Sequence, residues 1–278
     1  MPTLVLVHIG SHFPEYINDC ISQLQKITDI SVHVLISRSH TAKINGKVTV
    51  FPLEDIKVGE QRKKFEETSK LDSHFKNGFW KYTTMRFFYI YEHVVSHGLT
   101  DIFHIENDNL IFVDFLKNLE QFREKSMWCV MDCNTRCIPS FLYFKDSEIL
   151  SKLLNICIQG ASNKTNDMLT LAKFRNDNVD QVGNLPIITS YTDQVSEMLY
   201  KNVSKFKCLF DAAAVGQYIG GTDSGTKDTI GFINETCEFK CNKVSIEWRD
   251  KKPYLNGMPL LNLHIHSKDL KRWMYSII

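Results

Sequence analysis

Two carboxylates and two amides, Glu106, Asn107, Asp108 and Asn109, interrupt the otherwise apolar run DIFHIENDNLIF between Asp101 and Phe112. Side chains one residue apart lie on the same side of an extended chain, so Glu106 and Asp108 can face one cation, directly or through water. Hard Mg²⁺ or Mn²⁺ takes oxygen ligands and keeps positions open for substrate phosphates. The plainer alternative is a polar turn after a strand, where acidic residues are common. A second constellation is LLNLHIHSKDLKRW near the other end. Read as a strand, it sets Asn262, His264 and His266 on one face and Leu261, Leu263 and Ile265 on the other. Two imidazoles followed by Lys268 suit a cation and a phosphate, although a half-exposed edge strand shows the same alternation.

A third stretch, FDAAAVGQYIGGTDSG, combines Asp211 with small residues that allow close approach of backbone or ligand, and with Gly220 and Gly221, which permit positive φ. Asp211 reads either as a general base toward an acceptor hydroxyl or as the cap of a helix starting at Ala212. His8, in LVHIG, reads as the end of a core strand.

The elements that must position these residues follow from periodicity. TLVLVHIG (3–10), ISVHVLIS (30–37) and KVTVFPL (47–53) are short β-branched runs, and the segment between the first two has helical spacing at Tyr16, Ile17, Cys20, Ile21 and Leu24. FWKYTTMRFFYIYEHVVSHG predicts a helix from Phe79 with Gly98 as its C-cap, leading into the DIFHI strand. SMWCVMD (126–132) and SFLYF (140–144) read as further strands and SEILSKLLNICIQ as a helix, whereas 54–77 and 161–184 are polar and carry no clear stripe. Alternating helices and buried strands argue for a parallel α/β sheet with helices on its faces, and ligands then gather at the carboxyl ends of the strands. No repeat or linker divides the chain, so residues 1–278 are expected to form one domain.

Composition removes several function classes. With 33 Lys+Arg against 32 Asp+Glu and no long basic run, bulk charge recruits neither nucleic acid nor an anionic membrane. The amino terminus has too short an apolar run for a signal peptide or a transmembrane anchor, so a cytoplasmic, reducing setting is expected. Asn163, Asn202 and Asn234 then carry no weight as glycosylation sites. The eight cysteines lack the tight paired knuckles of a zinc site and read as reduced structural thiols.

Taken together, the ordered motifs resemble the GT-A-fold nucleotide-sugar glycosyltransferases, most closely the glycogenin and bacterial lipopolysaccharide galactosyltransferase group, over nearly the whole chain. The resemblance implies a Rossmann-like α/β GT-A fold, a mixed, mostly parallel sheet flanked by helices, with a nucleotide-binding half (1–112) and an acceptor-side half (113–278) that ends in the metal and phosphate strand. It also implies a strand ending in Asp-x-Asp that holds Mn²⁺ or Mg²⁺ against the donor diphosphate. That motif reads Glu106-Asn107-Asp108 here, with Glu departing from the pattern. Arg86 in TTMRFFYIYEHV occupies the place of a helix arginine that reaches the donor, and Asp193-Gln194 in SYTDQVSEML that of a pair beside the sugar carbon. HIHSK matches a third metal ligand, His264 or His266, followed by the phosphate lysine Lys268, with compressed spacing. Val7, His8 and Gly10 fall where the first strand holds nucleobase and ribose. The implied cofactors are Mn²⁺ or Mg²⁺ and a nucleotide-diphosphate sugar, UDP-sugar foremost, and the implied partner is a glycan or glycoconjugate acceptor. Two rivals stand beside this reading. A sugar-nucleotide nucleotidyltransferase should carry a Gly-rich basic loop after its first strand, which HIGSHFPEY lacks; the other is a catalytically silent nucleotide or glycan binder.

Overall fold

The aliphatic runs at the amino terminus become β1 (Thr3–His8), β2 (Ser31–Ile36) and β3 (Thr49–Pro52), with helix α1 (Tyr16–Ile27) between the first two. The computed structural model describes residues 1–189, 196–224 and 230–274. Helix α1 buries Ile17, Cys20, Ile21 and Leu24, the stripe that its helical spacing predicts. The charged segment 54–77 contains α2 (Glu60–Thr68), in which Arg62 and Phe65 are buried. Helix α3 (Phe79–His97) ends at Gly98, whose φ of 59° lies in the left-handed region that glycine adopts freely.

The chain continues through β4 (Ile102–Ile105), β5 (Asn109–Ile111), α4 (Leu119–Arg123), β6 (Met127–Cys133), β7 (Arg136–Phe144), α5 (Ser147–Ser162), α6 (Asp167–Asp177) and β8 (Val182–Asn184). It closes with α7 (Val203–Phe206), α8 (Ala214–Gly220), β9 (Ile246–Arg249), β10 (Lys252–Leu255), β11 (Met258–Pro259) and β12 (Asn262–His264). Seven strands form one sheet in the order β3-β2-β1-β4-β7-β6-β8. Only β7 runs against its neighbours, so the sheet is mixed and mostly parallel, where the alternation of elements alone argues for a parallel one. The aromatic side chains of Phe103, Phe115, Phe122, Phe141 and Tyr143 pack over its centre with ring centroids 4.7–6.0 Å apart. No helix among the described residues is long and apolar enough to cross a membrane.

Two local expectations are corrected. DIFHIENDNLIF is not one buried strand: β4 ends at Ile105 in the large sheet, and β5 starts after the acidic turn and pairs antiparallel with β12 in a separate two-stranded sheet. The LLNLHIH segment is not an alternating strand either, because β12 stops at His264 and its three residues are all buried. The polar stretch 161–184 folds as α6 and β8, and α6 begins where the Asn166 side chain accepts from the Leu169 N–H at 3.1 Å.

Candidate functional site

The acidic turn sits at the carboxyl end of β4 and is tied down on two sides. Asn107 Nδ2 donates to the Val7 carbonyl at 2.9 Å, which fixes the turn against the end of β1. The Ile265 N–H donates to the Asp108 carbonyl at 2.9 Å, which draws the segment after β12 across it. His264 Nε2 then lies 3.1 Å from Glu106 Oε2 and 3.1 Å from Asp108 Oδ1. The two carboxylates thus converge through a turn rather than through strand alternation. Lys268, in the left-handed region at φ 64°, pairs with Asp108 Oδ2 and holds its ammonium 5.5 Å from the Tyr16 ring centroid. His266 stands beside His264, ring centroids 4.2 Å apart at 72°, with Nδ1 2.8 Å from the Gln217 amide nitrogen. One ligand atom each from Asp108, His264 and His266 lies within 4.8 Å of the others.

A buried set of charges survives only by pairing. Burial alone would raise the Glu106 and Asp108 carboxyls, yet Arg86 and His264 hold the first below its ordinary value, and Lys268 and His264 hold the second well below. Burial would lower His264, but Asp108 and Glu106 raise it to about 10. His266 goes the other way, lowered to about 3 by burial and then by the charge of His264. Arg86 is buried on α3, donating to Glu106 Oε1 at 2.5 Å and to Asp167 Oδ2 at 2.8 Å. Glu106, Asp108 and Asp167 each face a positive group.

Asp211 supports this arrangement from behind. Its carboxylate accepts from the backbone N–H groups of Val215 (2.9 Å), Gly216 (2.8 Å) and His264 (2.9 Å), and it is 1% exposed. Its bonds to Val215 and Gly216 tie it to the first turn of α8, which begins at Ala214 rather than Ala212 and has Ala213 at its N-cap. It joins α8 to β12 at a point where only glycine fits: a Cβ on Gly216 would stand 1.9 Å from the His264 carbonyl oxygen. Asp211→Ala, which strands three buried N–H donors, is expected to cost about 2 kcal/mol or more. Chemical denaturation reads the loss, and a change under about 0.5 kcal/mol would contradict it.

Glu106, Asp108, His264, His266, Lys268 and Arg86 are therefore brought together, and Val7 touches the group through Asn107. His8 Nε2 donates to the His12 carbonyl at 2.8 Å, and Gly10 packs against that imidazole, where a Cβ would lie 3.1 Å from Nε2. Asp193 and Gln194 fall outside the described residues. Sequence reasoning missed Asp167, Tyr16 and Gln217. Asn166-Asp167 before an apolar run does carry a helix-start signal, but no local pattern points to its partner Arg86.

No family model matches the chain, and no curated protein matches it. Among solved structures it is similar to mouse xyloside xylosyltransferase 1, at 9% identity and a TM-score of 0.46 over 74% of this chain and 92% of that one. It is also similar to the glycosyltransferase PaToxG, at 11% identity and a TM-score of 0.45 over 64% of this chain and 69% of that one. A third similar structure is the galactosyltransferase LgtC in complex with donor and acceptor sugar analogues, at 9% identity and a TM-score of 0.41 over 66% of this chain and 73% of that one.

Proposed function

We propose that this chain is a metal-dependent glycosyltransferase of the GT-A type, one domain that moves a sugar from a nucleoside-diphosphate sugar to a hydroxyl of a glycan or glycoconjugate. The observation that carries the reading is the convergence of Asp108, His264 and His266 beside Lys268, at the strand end where a parallel sheet gathers its ligands. One carboxylate and two imidazoles form a donor set that suits Mn²⁺ better than Mg²⁺. The proton of His264 Nε2, shared between two carboxylates, marks the place a cation takes. When bound, the metal supplies charge stabilisation for the departing diphosphate.

The chain's own residues do the rest. Lys268, once drawn from Asp108, pairs with a donor phosphate as charge grows there. Arg86 fixes Glu106 in the orientation that faces His264, and so acts on the donor through that carboxylate. Gln217 Nε2 donates to His266 Nδ1 at 2.8 Å and so fixes that ring beside the place of the cation. Val7, His8, Gly10 and Asn107 line the place of the nucleobase and ribose. Asp193 and Gln194 serve the sugar carbon, since the Asp211 carboxylate is occupied by three backbone donors. Eight free cysteines suit a reducing, cytoplasmic setting.

The test is a panel of nucleoside-diphosphate sugars incubated with Mn²⁺ while release of nucleoside diphosphate is followed. Metal-dependent release from at least one donor is expected. Binding of nucleoside diphosphate without release from any donor would instead make the chain a silent binder.

Cation affinity should depend on pH, because binding displaces the proton on His264. A group raised to about 10 stabilises the metal-free fold below the ordinary imidazole range and loses that contribution as pH rises through about 10. The apparent Mn²⁺ affinity is therefore expected to rise about tenfold per unit between pH 6.5 and 8.5. Calorimetric titration at three pH values measures it, and a flat profile would exclude proton displacement.

A further inference from the structure

Away from the acidic turn, three imidazoles meet where the carboxyl-terminal half of α3 crosses the outer strands of the sheet. His93 and His97 are one helical turn apart on α3, and His33 reaches them from β2. His33 Nδ1 lies 2.9 Å from His93 Nε2. The ring centroids are 5.1 Å (His33–His93), 4.3 Å (His93–His97) and 6.4 Å (His33–His97) apart. Three imidazoles on one tetrahedral ion, with metal–nitrogen bonds of about 2.0–2.1 Å, place their centroids about 5 Å apart and their ligand nitrogens about 3.3 Å apart. The observed separations bracket the first figure, and the His33–His93 nitrogens are a few tenths of an ångström short of the second.

Two further features match a ligand set rather than a packed core. His97 Nδ1 donates to the His93 carbonyl at 2.9 Å and lies 2.8 Å from Ser96 Oγ, which leaves Nε2 bare. Phe51 closes one side, its ring 4.4–5.0 Å from all three imidazoles, while His97 is exposed on the other. We propose that His33, His93 and His97 form a second metal site, taking a borderline divalent transition metal such as Zn²⁺ with water as fourth ligand. Imidazole donors favour such an ion over Mg²⁺ or Ca²⁺. As the side chains stand, one nitrogen from each of the three does not fall within 4.8 Å of the other two, so on binding the hydrogen shared by His33 and His93 moves to the other nitrogen of its own ring, and the exposed His97 side chain gives up its bond to the His93 carbonyl and rotates to bring Nε2 inward. The ion then clamps α3, which carries Arg86 toward its other end, to β2.

The inference does not rest on the glycosyltransferase reading. Its test uses the full chain, histidine-labelled with ¹⁵N and kept reduced, titrated with Zn²⁺ while imidazole nitrogen resonances and stoichiometry are followed. Coordination shifts are expected on His33, His93 and His97. The exposed-residue variant His97→Gln should take up one equivalent less than wild type, or bind it at least tenfold more weakly, while Asp108→Asn keeps that equivalent. His33→Gln provides the same reading without touching the buried His93. Unshifted imidazoles, or wild-type zinc uptake in both His97→Gln and His33→Gln, would overturn the proposal.

Discussion

Replacing Arg86 with Met is expected to destabilise the fold by about 3–5 kcal/mol at neutral pH, the cost of breaking a buried ion pair by removing one partner. The guanidinium holds Glu106 Oε1 at 2.5 Å and Asp167 Oδ2 at 2.8 Å, and the side chain of Asp167 is 2% exposed. No other cation is paired with Asp167 among the described residues, so Met leaves it buried and uncompensated. The variant escapes by protonation, and the sign of the pH effect follows. Its carboxyls, raised above their unfolded values, take up protons on folding, so the deficit relative to wild type shrinks as pH falls. Urea denaturation at pH 7.5 and 5.5 measures both quantities. A loss below about 1 kcal/mol at pH 7.5, or a deficit that grows toward acid, would show that the triad is not what holds Asp167 in place. Arg86→Lys should recover part of the loss, because an ammonium serves one carboxylate but not the fork of two.

Asp108→Asn is expected to act on chemistry and also to cost some stability, because the buried His264 keeps only Glu106 as a carboxylate partner. Asn keeps the shape and the backbone carbonyl that accepts from Ile265, and Lys268, whose side chain is 38% exposed, can turn to solvent once released. The charge common to the cation and to His264 disappears, so Mn²⁺-dependent binding of nucleoside diphosphate should be lost and donor turnover should fall by about 10²–10³-fold or more, the scale on which removing one electrostatic stabiliser acts. Unchanged Mn²⁺-dependent binding of a nucleoside diphosphate to the variant would sink the metal assignment of Asp108. Comparison with His264→Gln then separates a ligand from a residue that only supports one.

Much of the scaffold was legible because it is written in local periodicity. The aliphatic strands β1 to β3, the stripe of α1 and the glycine stop of α3 follow from neighbouring residues alone. The residue types at the acidic turn and at HIHSK also single out side chains that the fold brings together. What stayed hidden depends on distant partners. The break between β4 and β5 arises because Asn109 meets Asn262, whose Nδ2 donates to its Oδ1 at 2.7 Å, and no pattern inside DIFHIENDNLIF reports a pairing with that residue. Asp167 sits in a polar segment without a stripe, and only Arg86, brought alongside by the fold, gives it meaning. Asp211 shows a third kind of limit, since cap and base use the same residue type and differ only in what the carboxylate touches.

The long separation between the two halves of the acidic centre bears on how the chain acquires it. Lys268 and His264 stand 160 and 156 residues from Asp108 in sequence. The parallel pairings of β1 with β2 and β4 close over much shorter loops and can form while the rest of the chain is still being made, whereas β5 has no strand partner until β12 arrives. During that interval Asp108 has neither imidazole nor ammonium beside it and stays hydrated, while Glu106 has only the guanidinium of Arg86. Docking of the last strand is then the event that drives water out and assembles the charge pairs together. A chain cut before Leu260 would keep most of its large sheet yet present an open, solvated acidic mouth, and would refold with that region resembling an unfinished nascent state.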